Sequence, residues 1–152
     1  MVKFRKATSD DLYSVYEIEK GCFDAERFSF RQFQYLLNKA KSVFLVAEEN
    51  GTIAGYIILL RKNNVNGLRI YSIAISPDHR KKGIARQLLY KAEKQAVELN
   101  LDFLYLEVSE ENKEAISLYE QGGFTAVGII PSYYHDGSDA IQMRKILQTK
   151  SM

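Results

Sequence analysis

"SPDHRKKGIARQLL", Ser76 to Leu89, gathers Arg80, Lys81, Lys82 and Arg86 around Gly83 and then turns apolar at Ile84, Leu88 and Leu89. The residues before it, "LRIYSIAIS", read as a strand that Pro77 closes, because proline has no N–H for a ladder. The residues after it place Ala85, Leu88, Leu89, Ala92, Ala96 and Leu99 at helical spacing. A strand, a short glycine-bearing loop and a helix N-terminus together make an anion site. The first N–H groups of a helix have no internal partner, and the dipole adds about half a positive charge there. Gly83 has no Cβ, so a ligand can approach its backbone closely. "RKKGIA" has neither the GxxxxGKS/T of a P-loop nor the three glycines of a dinucleotide fingerprint. Taken alone, it also reads as a solvated basic turn.

Working outward, "VKFRKA" alternates as a first strand, and "TSDD" offers N-caps for a helix through Leu12, Val15, Tyr16 and Ile18. Ser29 and Gln32 form a capping-box pair opening a second helix, "FRQFQYLLNKA". "SVFLVAEE", the turn Asn50–Gly51 and "TIAGYIILLRK" predict a β-hairpin. Beyond the central helix come the strand "DFLYLEVS" and a short helix, "NKEAISLYEQGG", stopped by two glycines. The strands "FTAVGII" and "AIQMRKIL" then flank the loop "PSYYHDGSD". The order β-α-α-β-β-β-α-β-α-β-β predicts an α/β fold: a single mixed, mostly antiparallel sheet with helices on both faces. One domain spans residues 1–148, with a short tail at 149–152.

The 152 residues suffice for one core, and the net charge of +2 is too small for wholesale binding of nucleic acid or membrane. A lone cysteine, Cys22, excludes an internal disulfide framework. The N-terminus lacks an apolar core, and "GYIILL" is too short to span a bilayer, so a cytoplasmic protein is expected. His79 and His135 have no partner at metal spacing, so no metal site is expected.

Three stretches carry a resemblance. Arg80-Lys81-Lys82-Gly83-Ile84-Ala85 fits Gln/Arg-x-x-Gly-x-Gly/Ala after a strand and opening a helix. "LEVSEENKEAISLYEQGGF", Leu106 to Phe124, fits LEV-x-x-x-N-x-x-A-I-x-L-Y-x-x-x-G-F, and "YYHDGSDAIQM" runs from Tyr133 to Met143. Together they resemble the GNAT superfamily of acetyl-CoA-dependent N-acetyltransferases. Within it they resemble the RimI-like branch, which acetylates the α-amines of protein N-termini. The resemblance implies acetyl-CoA as acetyl donor, with its pyrophosphate on the loop from Arg80 through Lys81, Lys82, Gly83, Ile84 and Ala85 to Arg86. It implies a pantetheine arm along Ile73, Ala74 and Ile75, with Asn112 touching the cofactor. It also implies Glu107 as base, Tyr119 as acid, and Tyr133 and Tyr134 beside the substrate. Where that branch carries a Pro-Trp-Ser-type segment, this chain has Phe28-Ser29-Phe30 and no tryptophan, which leaves Phe28 and Phe30 as the opposite wall. The acceptor amine therefore stays open between a peptide or protein N-terminus and a small amine such as a polyamine, amino acid or aminoglycoside. A non-catalytic CoA-binding regulatory module is the third reading, and the oligomeric state is monomer or dimer.

The residues suit this chemistry on their own terms. An α-amine with a pKa of about 8 is roughly one-tenth neutral at pH 7, whereas a lysine at about 10.4 is neutral in roughly one molecule in a few thousand. A base is therefore useful. Strand alternation sets Glu107 on the face of Phe103 and Tyr105, which fits a general base or an exposed or lysine-paired glutamate. Tyr119, at helical spacing from Ala115 and Ile116, fits a core aromatic or a phenol donating to the leaving thiolate.

Overall fold

A computed structural model describes residues 1–22, 29–39 and 41–147. In chain order it contains β1 (Val2–Lys6), α1 (Leu12–Cys22), α2 (Phe30–Asn38), β2 (Ser42–Glu49), β3 (Thr52–Arg61) and β4 (Gly67–Ile75). Then come α3 (Ile84–Glu98), β5 (Phe103–Ser109), α4 (Lys113–Gln121), β6 (Thr125–Ile130) and β7 (Ala140–Ile146). Two 3-10 turns, Ser9–Asp11 and Pro77–His79, precede α1 and follow β4. The element order and the single mixed sheet agree with the sequence reading. None of the helices in the described residues is long and apolar enough to cross a membrane.

Local chemistry explains the boundaries. Asn50 and Gly51 both have positive φ, 53° and 80°, as the two-residue turn joining β2 to β3 requires. Ser29 and Gln32 cap α2 reciprocally, at 2.8 and 3.2 Å. Thr8 and Asp11 form the capping box of the first 3-10 turn. Asp11 also accepts from both terminal nitrogens of Arg5, at 2.8 and 2.9 Å, which ties the turn to β1.

The sheet runs β1-β2-β3-β4-β5-β7-β6, antiparallel except where β4 meets β5. Both faces are covered. Leu12, Val15 and Ile18 of α1 and Phe33 and Leu36 of α2 pack on Phe44, Val46, Tyr56, Ile58 and Ala74. On the other face Ile84, Leu88, Ala92 and Ala96 of α3, with Tyr119 of α4, pack on Ile57, Leu59, Leu68, Ile70, Leu104 and Leu106. Consecutive residues of β3 thus serve opposite layers, which explains why "AGYIIL" reads as one apolar run.

Two irregularities open this sheet. The parallel ladder between β4 and β5 holds only Gly67 with Phe103, Leu68 with Leu104 and Arg69 with Tyr105, and beyond it the strands part. Against β3, Ile70 faces Leu59 and Ser72 faces Ile58, so Tyr71 is an extra, bulged residue. A bulge bends its strand and shifts the alternation by one. Ile70 therefore enters the α3 layer, whereas Ser72 and Ala74 turn to the α1 layer. The gap is a cleft of about 360 Å³.

Candidate active site

Alternation along β5 buries Leu104, Leu106 and Val108 under α3 and leaves Phe103, Tyr105, Glu107 and Ser109 half-buried on the opposite face. Glu107 so lines the cleft, with its side chain 13% exposed. Its Oε1 accepts from Arg69 Nε at 2.9 Å and from Arg69 Nη2 at 2.5 Å. Both bonds fall on one oxygen, and Oε2 accepts none among the described residues. Arg69 also lies 5.1 Å from the centre of the Tyr71 ring. Burial alone would lower the pKa of Arg69, but Glu107 and then Tyr133 outweigh it and the guanidinium is held charged. Of the two alternatives to a base, the structure shows an ion pair, formed with arginine rather than lysine. Arg69 did not stand out in the sequence, where an arginine in a strand looks like an ordinary exposed position. Its signal is pairing: Arg69 sits opposite Tyr105, two residues from Glu107 on the same face.

Tyr119 reaches the cleft from α4, 7% exposed and edge-on to Phe124 at 5.7 Å. Burial, with a smaller contribution from Tyr134, pushes its pKa well above the ordinary phenol range, so it holds its proton. Asn112 caps α4 through Oδ1, which accepts from Ala115 N–H at 3.1 Å. Asn112 lines the cleft, and its Nδ2 donates to nothing among the described residues.

The loop between β6 and β7 closes one side. Asp136 accepts from the Ser138 N–H at 2.8 Å, and Asp139 N–H donates to Glu110 at 2.9 Å, which anchors the loop to the end of β5. This presents Tyr133 and Tyr134 to the cleft, ring centres 4.9 Å apart and perpendicular. Phe30 goes elsewhere: its ring packs edge-on to Tyr16 at 6.0 Å and is not part of the cleft wall. Phe28 lies outside the described residues. A carboxylate the sequence reading passed over, Glu19 of α1, lines the cleft instead.

At the end of β4 the loop turns through Lys81 and Gly83, both left-handed at φ 66° and 78°. A Cβ on Gly83 would meet nothing within 4 Å, so its open side is free for a ligand. Gly83 stands at the N-cap of α3 without a side-chain cap, and Gln87 N–H is the one that reaches back to the Gly83 carbonyl, at 3.1 Å. The N–H groups of Ile84, Ala85 and Arg86 precede it and have no acceptor within the helix. The Ile84 side chain, at 1% exposure, anchors this turn to the core. The surrounding cations have partners in the chain: Arg80 Nε on the Ile75 carbonyl at 3.3 Å, Lys82 on Glu49 at 3.1 Å, Arg86 on Gln121 at 2.9 Å. An anion here would meet backbone N–H groups first and diffuse positive charge second. His79 is less exposed than a surface role suggests: its Nδ1 is buried without a partner, and Nε2 is 3.7 Å from Glu49.

A strand pair parted beside an uncapped helix N-terminus is one half of the comparison with known proteins; sequence supplies the other. The model of the acetyltransferase (GNAT) family matches residues 11–124. The chain belongs to that family. It is 32% identical over 155 residues to the N-terminal acetyltransferase A complex catalytic subunit NAA10 of Arabidopsis thaliana, covering 99% of this chain and 80% of that one. It is 31% identical over 136 residues to the spermidine N(1)-acetyltransferase of Vibrio cholerae, covering 84% of this chain and 79% of that one. The crystal structure of the ribosomal-protein-S18-alanine N-acetyltransferase from Escherichia coli superposes with a TM-score of 0.87 at 27% identity, over 99% of this chain and 97% of that one. The protein is an N-acetyltransferase, which removes the non-catalytic reading. Acetyl-CoA is the acetyl donor of the GNAT family, and the open Gly83 turn and the part of β4 beyond its ladder with β5, which carries Ile73, Ala74 and Ile75, fit its phosphates and its extended arm.

Proposed function

We propose that this GNAT enzyme acetylates the α-amine of a peptide or protein N-terminus. The observation that carries the reading is the perpendicular Tyr133–Tyr134 pair lining the same cleft as the Arg69–Glu107 pair. Two amphipathic rings offer apolar surface and hydroxyls at once, which suits a peptide backbone with a small first side chain. The similarity to NAA10 and to the ribosomal-protein-S18-alanine N-acetyltransferase points the same way.

In this reading the pyrophosphate sits on the backbone from Lys81 to Arg86, and Asn112 Nδ2 donates to the arm. Acetyl-CoA supplies the activated acetyl group as a thioester. Glu107 offers Oε2 to the ammonium while Arg69 fixes Oε1, so the carboxylate cannot rotate away. Tyr119, protonated at every physiological pH, donates to the departing sulfur. A small polycationic amine is the second reading. It is favoured by Glu19, Glu107 and Asp136, three carboxylates in one cleft offset by the single guanidinium of Arg69, and by the similarity to the spermidine enzyme.

Thiol release from acetyl-CoA, measured against short peptides with free N-termini, internal lysines, polyamines and aminoglycosides, separates the two. Peptide α-amines are expected to react best and internal lysines poorly, with Glu107→Gln lowering turnover by roughly 10²–10⁴. Good turnover of polyamines with none of peptides replaces the first reading by the second.

A further inference from the structure

Glu19 is the least exposed charged residue among the described residues, at 1%, yet it lines the same cleft as Glu107. The Tyr56 hydroxyl donates to Glu19 Oε1, and the same hydroxyl lies 2.9 Å from Ser72 Oγ. Ser72 lines the cleft as well. Three elements, α1, β3 and β4, thus contribute one side chain each to a continuous line of hydrogen bonds. It leads from Ser72 in the β4 wall of the cleft to the buried acid of α1. The bulge at Tyr71 is what turns Ser72 to this face.

The reaction needs more than one proton acceptor. An acceptor amine enters as an ammonium with three N–H bonds and leaves as an amide with one, so two protons depart. One ends on the sulfur of the thiol product and the other goes to solvent. Glu107, with Oε1 held by Arg69, has Oε2 to hold the ammonium and take up one proton, so a second acceptor is needed for the other. We infer that Glu19, acting through Ser72 and Tyr56, is the acceptor of the first proton.

In that step the N–H bond of the ammonium breaks and its proton goes to Ser72 Oγ. The Ser72 proton passes to the Tyr56 hydroxyl oxygen and the Tyr56 proton to Glu19 Oε1. No group is oxidised or reduced, and the electron pair of the broken bond stays on nitrogen. That neutral nitrogen then forms the C–N bond as the C–S bond breaks; its second proton passes to Glu107 Oε2 while Tyr119 donates to the sulfur, and the Glu107 proton restores the phenol through water. Glu19 returns its proton along the same line to water in the opened cleft. The inference rests on the acceptor being an ammonium at neutral pH, which both readings of the substrate share.

Among the described residues, the groups that face this line come from several layers. Beside Tyr56 and its two partners, Arg69 and Tyr71 come from β4 and Glu107 from β5. Tyr119 comes from α4, and Tyr133, Tyr134 and Asp136 come from the loop after β6. From α2, Phe33 lies edge-on to Tyr56 at 5.8 Å and brings no charge.

The test compares Glu19→Gln, Ser72→Ala and the double variant with the parent, using whichever amine the parent acetylates. Glutamine still accepts from Tyr56 but cannot take up the proton; alanine at 72 cuts the line at the cleft wall without touching the buried acid. Each single variant is expected to lose on the order of 10²-fold in kcat at neutral pH. Acetyl-CoA affinity and melting temperature should stay unchanged, as should acceptor KM in Ser72→Ala, and the loss should shrink toward alkaline pH as the amine deprotonates by itself. The double variant is expected to be no slower than the slower single one, because both changes interrupt one path. Unchanged kcat in a folded variant, a loss that is flat with pH, or losses that multiply in the double variant would each overturn the relay. Should Glu19→Gln fail to fold or to bind acetyl-CoA, Ser72→Ala decides by the same criteria. A parent enzyme that acetylates polyamines and no peptide overturns the peptide reading alone, and the relay is then tested on the polyamine.

Discussion

At the scale of single residues, this site is built from conformational exceptions rather than unusual chemistry. Gly83 is left-handed at φ 78° at the point where α3 needs an uncapped N-terminus. A Cβ there would enter open space, so a substitution meets no protein atom. It meets the conformational cost of a β-branched residue at positive φ, and it fills the space in front of the helix N–H groups. Gly83→Val is therefore expected to weaken acetyl-CoA binding by at least about tenfold, with about 1–2 kcal/mol of added strain. Calorimetric titration of acetyl-CoA into parent and variant checks it. Equal affinities would move the phosphate site away from this turn. Arg69 is an exception of another kind: a fixed cation whose two hydrogen bonds land on one oxygen of Glu107, orienting the carboxylate at the edge where the strands part.

At the scale of elements, the Thr8–Asp11 box shows how a turn is tied to the sheet. The pKa of Asp11 is lowered chiefly by hydrogen bonds from Arg5, against the opposing effect of its burial and with help from the Thr8 N–H. A carboxyl whose pKa is depressed in the folded state stabilises fully above its unfolded value of about 3.9, and that contribution is lost as pH falls through the lower folded value. Asp11→Asn is accordingly expected to cost about 1–3 kcal/mol at neutral pH. The gap between parent and variant in urea unfolding should close as pH drops below about 4. A gap of constant size would show that charge is not what Asp11 contributes.

The elements also show how much was legible beforehand. Caps, turn residues and apolar periodicity are local, so the eleven helices and strands, the Ser29–Gln32 box and the Asn50–Gly51 turn could be read directly. Glu107 was placed on the correct face because strand alternation needs no partner. The parting of β4 from β5 was not legible, since register is set by contacts between distant segments. Nor was the bulge at Tyr71, which by alternation alone would have put Ser72 in the α3 layer. Everything depending on those two facts was out of reach: the Arg69–Glu107 pair, the Glu19–Tyr56–Ser72 line, and the place of Phe30 against Tyr16 instead of in the cleft.

At the scale of the whole molecule, the sheet is two antiparallel halves joined by three residue pairs. β1 to β4 form one half and β5, β7 and β6 the other, with only Gly67–Phe103, Leu68–Leu104 and Arg69–Tyr105 laddering between them. Below that seam α3 spans both halves through the shared core of Leu68, Ile70, Leu88, Leu104 and Leu106. Above it the backbone of β4 and β5 faces the cleft, and hydrogen bonds that an unbroken sheet would supply must come from solvent or ligand. In the placement proposed above, acetyl-CoA would act as a substitute strand there, so its binding should stabilise the seam more than the outer edges. At a hundredfold excess over Kd a native-state ligand adds about 2.7 kcal/mol. For a chain of this size that corresponds to roughly 5–10 °C in melting temperature. Hydrogen exchange should locate the effect: amides from Ile70 to Ala74 and from Leu106 to Ser109 slow beyond the global gain, while those of β1 and β6 slow by no more than it. Uniform slowing across the sheet would mean that acetyl-CoA binds without entering the gap between β4 and β5.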